Sequence, residues 1–425
     1  MSEWRLARKS YKFDHPKISN KEAEETFREN LIEYEKEENP TTILNFWSGG
    51  LPRLQKISKH CGGCWLTNDK HVEYTADAII FDHTRYRKNL EVETGVMPDF
   101  VNRNTDSQYW VFWPRESASK GIEKGTNHKL VKEIHDWDGA FNLTASCRLD
   151  SDAIRPYGNM NLLLKNYVGK SQEEIIQSIM AKKQYNNGKH TAWMVSNCDK
   201  TNGAVARWEL GQQLIRSGLK LDGFGSCFDN NINGNPWQVK DLETEGAIGK
   251  YKFYLAFENS LHCNGYISEK FWRNSLLTGA VPVVYGPYRA DLEAVAPKNS
   301  YIFVEDFSSP KELVDYLDYL DQNDTAYAEY HHWRSETEME RNGSMMTHDD
   351  EMICQLCQKI NERKSLGYPK RMIRSVASWW WYNVHDEKCT EGFDLPKWIT
   401  SYPPQTMEDT YDEMKGNLLE KSGPR

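Results

Sequence analysis

Apolar and polar positions follow two rhythms along this chain, and both are clearest from Tyr251 to Pro287, YKFYLAFENSLHCNGYISEKFWRNSLLTGAVPVVYGP. Tyr251–Phe257 is an aromatic-rich apolar run that predicts a buried strand, closed by Glu258-Asn259-Ser260. Ser268 predicts the cap of a helix through Leu277, and Val281–Tyr285 a second short strand bounded by Gly279 and Gly286. Pro282, near its start, suits an edge or a first position. The rhythm also runs upstream, with Thr191–Ser196 a strand, Gly203–Ser217 a helix and Lys220–Phe224 a strand. Earlier still, Thr41–Trp47, Ala78–Phe81 and Tyr109–Trp113 predict strands among loops and helical stretches. Asn20–Glu38 predicts a charged helix, and Gly169–Lys183 a helix with Ile175, Ile176 and Ile179 on one face. Ser309-Pro310-Lys311-Glu312 reads as a capping box opening a helix.

Alternating strands and helices in both halves imply an α/β protein of two Rossmann-like domains facing a cleft. The predicted divisions are a polar stem or extension over 1–40, a first domain over 41–168, a second over 169–360 and an extension over 361–425. In open α/β sheets ligands bind beyond the carboxyl ends of the strands. That rule gathers Glu258, Asn259, Glu269 and Lys270 at one crevice. A cation in the first helical turn opposes the helix dipole, so a phosphate ligand accounts best for Lys270. Glu269 is suited to accept hydrogen bonds from sugar hydroxyls. Taken alone, the pair reads as an ordinary surface Glu–Lys.

Composition narrows the partners. The chain has 425 residues, 53 basic against 62 acidic, and a net charge of −9, which argues against nucleic acid. Fifteen Trp and 22 Tyr offer rings that bury large areas and stack on sugars, although most are expected in the core. No eighteen-residue apolar run and no signal peptide occur. The nine Cys include Cys61-Gly-Gly-Cys64 and Cys354-Gln-Leu-Cys357. Two CxxC pairs are compatible with a zinc site, a redox motif or disulfides. Asn142-Leu-Thr, Asn323-Asp-Thr and Asn342-Gly-Ser are glycosylation acceptors by pattern.

The block from Tyr251 to Pro287 resembles the α1,3-fucosyltransferases. The FENS portion, Tyr266-Ile267-Ser268-Glu269-Lys270 and the VPVV strand match the family's donor pattern, with Gly265 replacing an acidic residue and Ser268 a Thr. The resemblance implies a GT-B glycosyltransferase, with the acceptor in the first half and GDP-fucose in the second. It implies disulfides joining Cys354 and Cys357 to the early pair, and another between Cys198 and Cys227, which leaves an odd number of the nine Cys. It also implies the Golgi lumen, with the membrane reached only through an anchor absent from this chain.

Glu116, at the end of the strand Tyr109–Trp113, matches the family's general base. Inverting transfer needs such a carboxylate to take the acceptor hydroxyl's proton. Arg207 matches the diphosphate-binding Arg, and its planar fork suits two phosphate oxygens. Tyr266 matches a donor contact, and Ser196 and Asn197 lie at a strand end where they would line the nucleotide pocket. With Arg207 and Lys270 supplying positive charge, no metal is required, and a divalent ion is at most stimulatory. Asp150 and Asp152 spell a DxD triplet but are read as cleft-wall or structural. Trp379-Trp380-Trp381 is read as packing against a domain.

The expected reaction moves fucose from GDP-β-L-fucose to the 3-hydroxyl of a GlcNAc, in an N-glycan core or a LacNAc/LacdiNAc-type antenna. Alternatives are an inactive glycan-binding protein on the same fold, or a transferase using another nucleotide sugar.

Overall fold

Buried runs in the sequence become two stacked-helix-and-sheet layers in the computed structural model, which describes residues 21–46, 53–82, 108–118, 137–160, 163, 167–184, 188–198, 202–228, 246–334, 348–367 and 371–381. The first sheet contains β1 (Thr42–Asn45), β2 (Leu54–Lys56), β3 (Trp65–Thr67), β4 (Ala78–Asp82), β5 (Tyr109–Trp113), β6 (Leu143–Ser146) and β7 (Ala153–Ile154). Its order is β2-β3-β1-β4-β5-β6-β7, parallel except for the β2–β3 pair. Strands β4, β5 and β6 are buried along their whole lengths, as a parallel sheet covered on both faces requires.

The second sheet contains β8 (Thr191–Met194), β9 (Leu221–Phe224), β10 (Phe253–Phe257), β11 (Val281–Tyr285) and β12 (Ile302–Phe303). All its pairs are parallel, in the order β12-β11-β10-β8-β9. Pro282 is tolerated inside β11 because β12 pairs only with Val283 and Val284, so no ladder bond is asked of the missing N–H on that side. The chain leaves β8 in one direction to β9 and returns in the other to β10. The crevice of this sheet therefore opens between the ends of β8 and β10.

Local signals place the helices. Ser171 makes a full capping box with Glu174 before α2 (Gln172–Met180). Helix α5 (Arg289–Val295) follows β11, and Ser309 caps α6 (Pro310–Gln322) as expected, but the Glu312 carboxylate reaches back one residue further, to the N–H and hydroxyl of Ser308.

Three expectations need correction. Residues 1–40 are not all a polar extension, because α1 (Lys21–Lys36) packs onto the first sheet. Phe27 is buried with Leu54 and Trp65, and Asn30 donates to the Leu54 carbonyl. The second half does not run unbroken to 360 either. Helix α8 (His348–Leu366) returns to the first sheet, where Met352, Leu356 and Ile360 are buried with Ile43, Ile80 and Leu143. Helix α9 (Val376–Trp381) follows it, with Trp380 in the core beside Phe112 and Phe141. Finally, Asn142 is no surface acceptor of a glycan. It is fully buried, its side-chain oxygen accepts from the Trp110 N–H and its amide donates to the Arg371 carbonyl. Asn323 caps α7 (Asp324–Ala328) at the surface, and Asn342 lies outside the described residues.

The disulfides are Cys61–Cys354, Cys64–Cys357 and Cys198–Cys227. The first two bolt α8 to the first half, which resolves the CxxC pairs as cross-links. Cys263 is also disulfide-bonded, and Cys147 is the free thiol among the described residues.

Candidate active site between the two sheets

On the second sheet, the turn after β10 holds Glu258, Asn259 and Ser260, and Ser268 caps the helix that follows. That helix runs as one α-turn, α4 (Glu269–Phe271), into a π-turn over Trp272–Leu277. Such widened turns recur at functional sites. Ser268 and Glu258 build its entry together. The carboxylate of Glu258 accepts from the Ser268 N–H at 2.7 Å, from its hydroxyl at 2.8 Å and from Lys270 Nζ at 3.1 Å. Lys270 also donates to Ser268 Oγ at 2.7 Å and to Glu269 at 3.1 Å.

These contacts revise the dipole argument. Two carboxylates already balance the Lys270 charge, so its place in the first turn does not by itself call for a phosphate. Burial pulls the ammonium pKa down, but the Glu258 and Glu269 charges outweigh it and raise it above the ordinary lysine value. Burial likewise opposes ionisation of Glu269, yet Lys270 holds it down to about 2. Glu258 is sealed in at 1% exposure, and burial raises its pKa. It therefore reaches a ligand only through Lys270 and Ser268, whereas the Glu269 side chain is 43% exposed.

Arg207 falls inside the helix expected over Gly203–Ser217. It lies in the second turn of α3 (Asn202–Arg216) and points inward, 3% exposed. One terminal nitrogen donates to the Phe257 carbonyl at 2.9 Å and the other to the Asn197 carbonyl at 2.8 Å. Those carbonyls end β10 and follow β8, so the guanidinium straddles the crevice. Its Nε has no hydrogen-bond partner, an expensive state for a buried donor and one that a ligand would relieve. Ser196 and Asn197 flank the same opening, and Ser196 Oγ accepts from the Ser226 N–H. The Cys198–Cys227 disulfide ties the loops after β8 and β9.

Across the cleft, Glu116 lies three residues beyond β5 and is half-buried. The Tyr266 hydroxyl lies 3.4 Å from Glu116 Oε2 and 3.2 Å from Asn259 Oδ1, so its one proton is shared between the halves. Two contributors escaped sequence reasoning. Tyr157, in the Pro-Tyr-Gly turn, donates to the Arg115 carbonyl and packs edge-on against Tyr266 at 5.7 Å. Burial pushes both phenols well above the usual tyrosine value, which keeps them as hydrogen-bond donors. Ser117 meets Ser260 from the opposite half, oxygen to oxygen, at 2.5 Å. The repeated "ES" and "NS" spelling at two strand ends was the available signal.

Close approach of the halves depends on two glycines. A Cβ on Gly158 would stand 2.2 Å from the Trp272 ring. Gly265 has φ +65°, and a Cβ there would stand 2.4 Å from the Cys147 carbonyl. The acidic residue usual at Gly265 has no room here. Behind this contact, Arg148 grips Asp150 with two nitrogens, and Asp152 accepts from the Thr144 N–H and pairs with Lys359. Both carboxylates of the DxD triplet are thus engaged in holding the β6–β7 loop. Trp379 caps the Arg148 guanidinium at 4.7 Å.

Comparison with known proteins bears on this arrangement. Residues 38–158 match the model described as fucosyltransferase, N-terminal, and residues 183–379 match glycosyltransferase family 10 (fucosyltransferase) C-term. The human 4-galactosyl-N-acetylglucosaminide 3-alpha-L-fucosyltransferase FUT5 is 33% identical over 349 residues, 80% of each chain. The 3-galactosyl-N-acetylglucosaminide 4-alpha-L-fucosyltransferase FUT3 of Pongo pygmaeus is 32% identical over 77% of this chain and 76% of its own. A solved alpha1,3-fucosyltransferase shares 13% identity with a TM-score of 0.42, over 88% of this chain and 98% of that one.

Proposed function

Since the chain belongs to glycosyltransferase family 10, the fucosyltransferases, we propose that it transfers L-fucose from GDP-β-L-fucose to the 3-hydroxyl of a GlcNAc, inverting the anomeric centre. One observation carries the reading. The Tyr266 hydroxyl is shared by Asn259 of the second half and Glu116 of the first, so the carboxylate at the end of β5 faces the loop beside Lys270.

In this mechanism Glu116 takes the proton of the acceptor hydroxyl as its oxygen bonds to C1 of fucose. The C1–O bond to the β-phosphate breaks on the opposite face, and its electron pair leaves with GDP. Arg207 and Lys270 stabilise the growing charge on the diphosphate. Glu269 orients the sugar through its hydroxyls, and Ser196 and Asn197 line the nucleotide pocket. No step draws on a metal. The family also supports a Golgi luminal setting.

The names of the similar enzymes place galactose on the GlcNAc they modify and differ in the hydroxyl fucosylated. A galactosylated antenna is accordingly the first acceptor to try, with an N-glycan core as the second. Incubation with GDP-fucose and defined glycans, followed by mass spectrometry and linkage analysis, tests both donor and acceptor. A 3-linked fucose on GlcNAc is the expected product. No fucosylation of any GlcNAc-bearing glycan, or transfer from a different nucleotide sugar, would overturn the reading.

A further inference from the structure

Glu116 and Ser117 in the first half, and Asn259, Ser260 and Tyr266 in the second, close a ring of hydrogen bonds across the cleft. Ser117 Oγ lies 2.5 Å from Ser260 Oγ, Ser260 Oγ donates to Asn259 Oδ1 at 3.5 Å, and the Tyr266 hydroxyl spans Asn259 and Glu116 at 3.2 and 3.4 Å. The peptide bond between Glu116 and Ser117 completes the circuit. In the 2.5 Å pair either serine hydroxyl can donate to the other. Both serines are buried, at 4% and 1% exposure, where a hydroxyl pair is stronger than in water and costly to break.

We propose that Ser117 and Ser260 form a cross-cleft latch, a pair of positioning residues that fixes the Glu116 carboxylate relative to the donor loop. Neither serine reacts. Ser260 follows the donor-side Asn259 directly and Ser117 follows the base directly, so each end of the latch moves with the group that it serves. A donor held by Asn259 and Tyr266 meets a carboxylate already in register, and a slackened latch leaves donor affinity intact while turnover falls. The proposal rests on the reading of Glu116 as the base.

The test is a double-mutant cycle of Ser117→Ala, Ser260→Ala and the double variant, with kcat, GDP affinity and Tm measured for each. Each single change is expected to lower kcat about tenfold, close to 1.4 kcal/mol. The double variant should be no slower than the worse single, and GDP affinity should be unchanged. Ser117→Thr, which keeps the hydroxyl, should restore most of the turnover. Multiplying losses, unchanged kcat in both singles, or weakened GDP binding that accounts for the whole loss would overturn the latch. Glu116→Gln run beside the cycle separates the two readings. If that variant stays active, the base assignment fails, while non-additive Tm losses in the cycle still report whether the serines are coupled.

Discussion

The two faces of the cleft are built differently. On the second half, Lys270, Glu258, Glu269 and Ser268 form a closed electrostatic nest before any ligand arrives, and Arg207 is clamped between two strand ends. On the first half, Glu116 stands half-buried at a loop, met by a long hydrogen bond from Tyr266. The contrast teaches a division of labour. The donor carries the same diphosphate in every turnover, and a rigid, pre-charged site suits it. The acceptor side is also held from behind, by two disulfides to α8.

Lys270→Met would break the contrast most severely, because it leaves Glu258 and Glu269 facing each other without a cation. Loss of about a thousandfold in kcat/KM is expected, with destabilisation of about 3 kcal/mol from the buried unpaired charge. Steady-state kinetics and thermal unfolding read the two effects. Retained GDP affinity in this variant would show that the nest does not serve the donor.

Removing a staple should do the reverse. Cys61→Ser with Cys354→Ser is expected to cost about 2–4 kcal/mol of stability, while GDP affinity stays unchanged. A parallel loss of GDP binding would mean that the halves are not separable in this way.

The smallest effect is a pH signature. Glu269 ionises near 2 instead of 4.5, so its share of stability is present above its unfolded pKa and is lost as pH falls toward 2. The Tm difference between the parent and Glu269→Gln should therefore be full at neutral pH and shrink between about pH 4 and 2. A difference that stays constant over that range would contradict the depressed carboxyl.

Much of this was legible in the chain. The buried runs of β5, β10 and β11 are long enough to declare themselves, and Ser268 and Ser309 announce their helices by capping chemistry. The residues expected at the site lie at strand ends and in short motifs, and the structure brings Glu116, Asn259 and Tyr266 together. What failed was tertiary. The Asn142-Leu-Thr triplet looks like a surface sequon, but β6 starts there and buries the side chain. The return of α8 and α9 to the first sheet carries no local signal beyond cysteines and a tryptophan run. The burial of Arg207 was not legible because it depends on carbonyls 10 and 50 residues away. Tyr157 and the Ser117–Ser260 contact could not be read from spacing, since each exists only once the halves meet.

The most direct test of the whole account is transfer by Glu116→Gln, with GDP-fucose and a GlcNAc-bearing acceptor at saturation. The account predicts a loss of at least about a thousandfold in kcat, with Tm and GDP affinity matching the parent protein. Turnover near the parent rate would contradict it, because the acceptor proton would then have another destination.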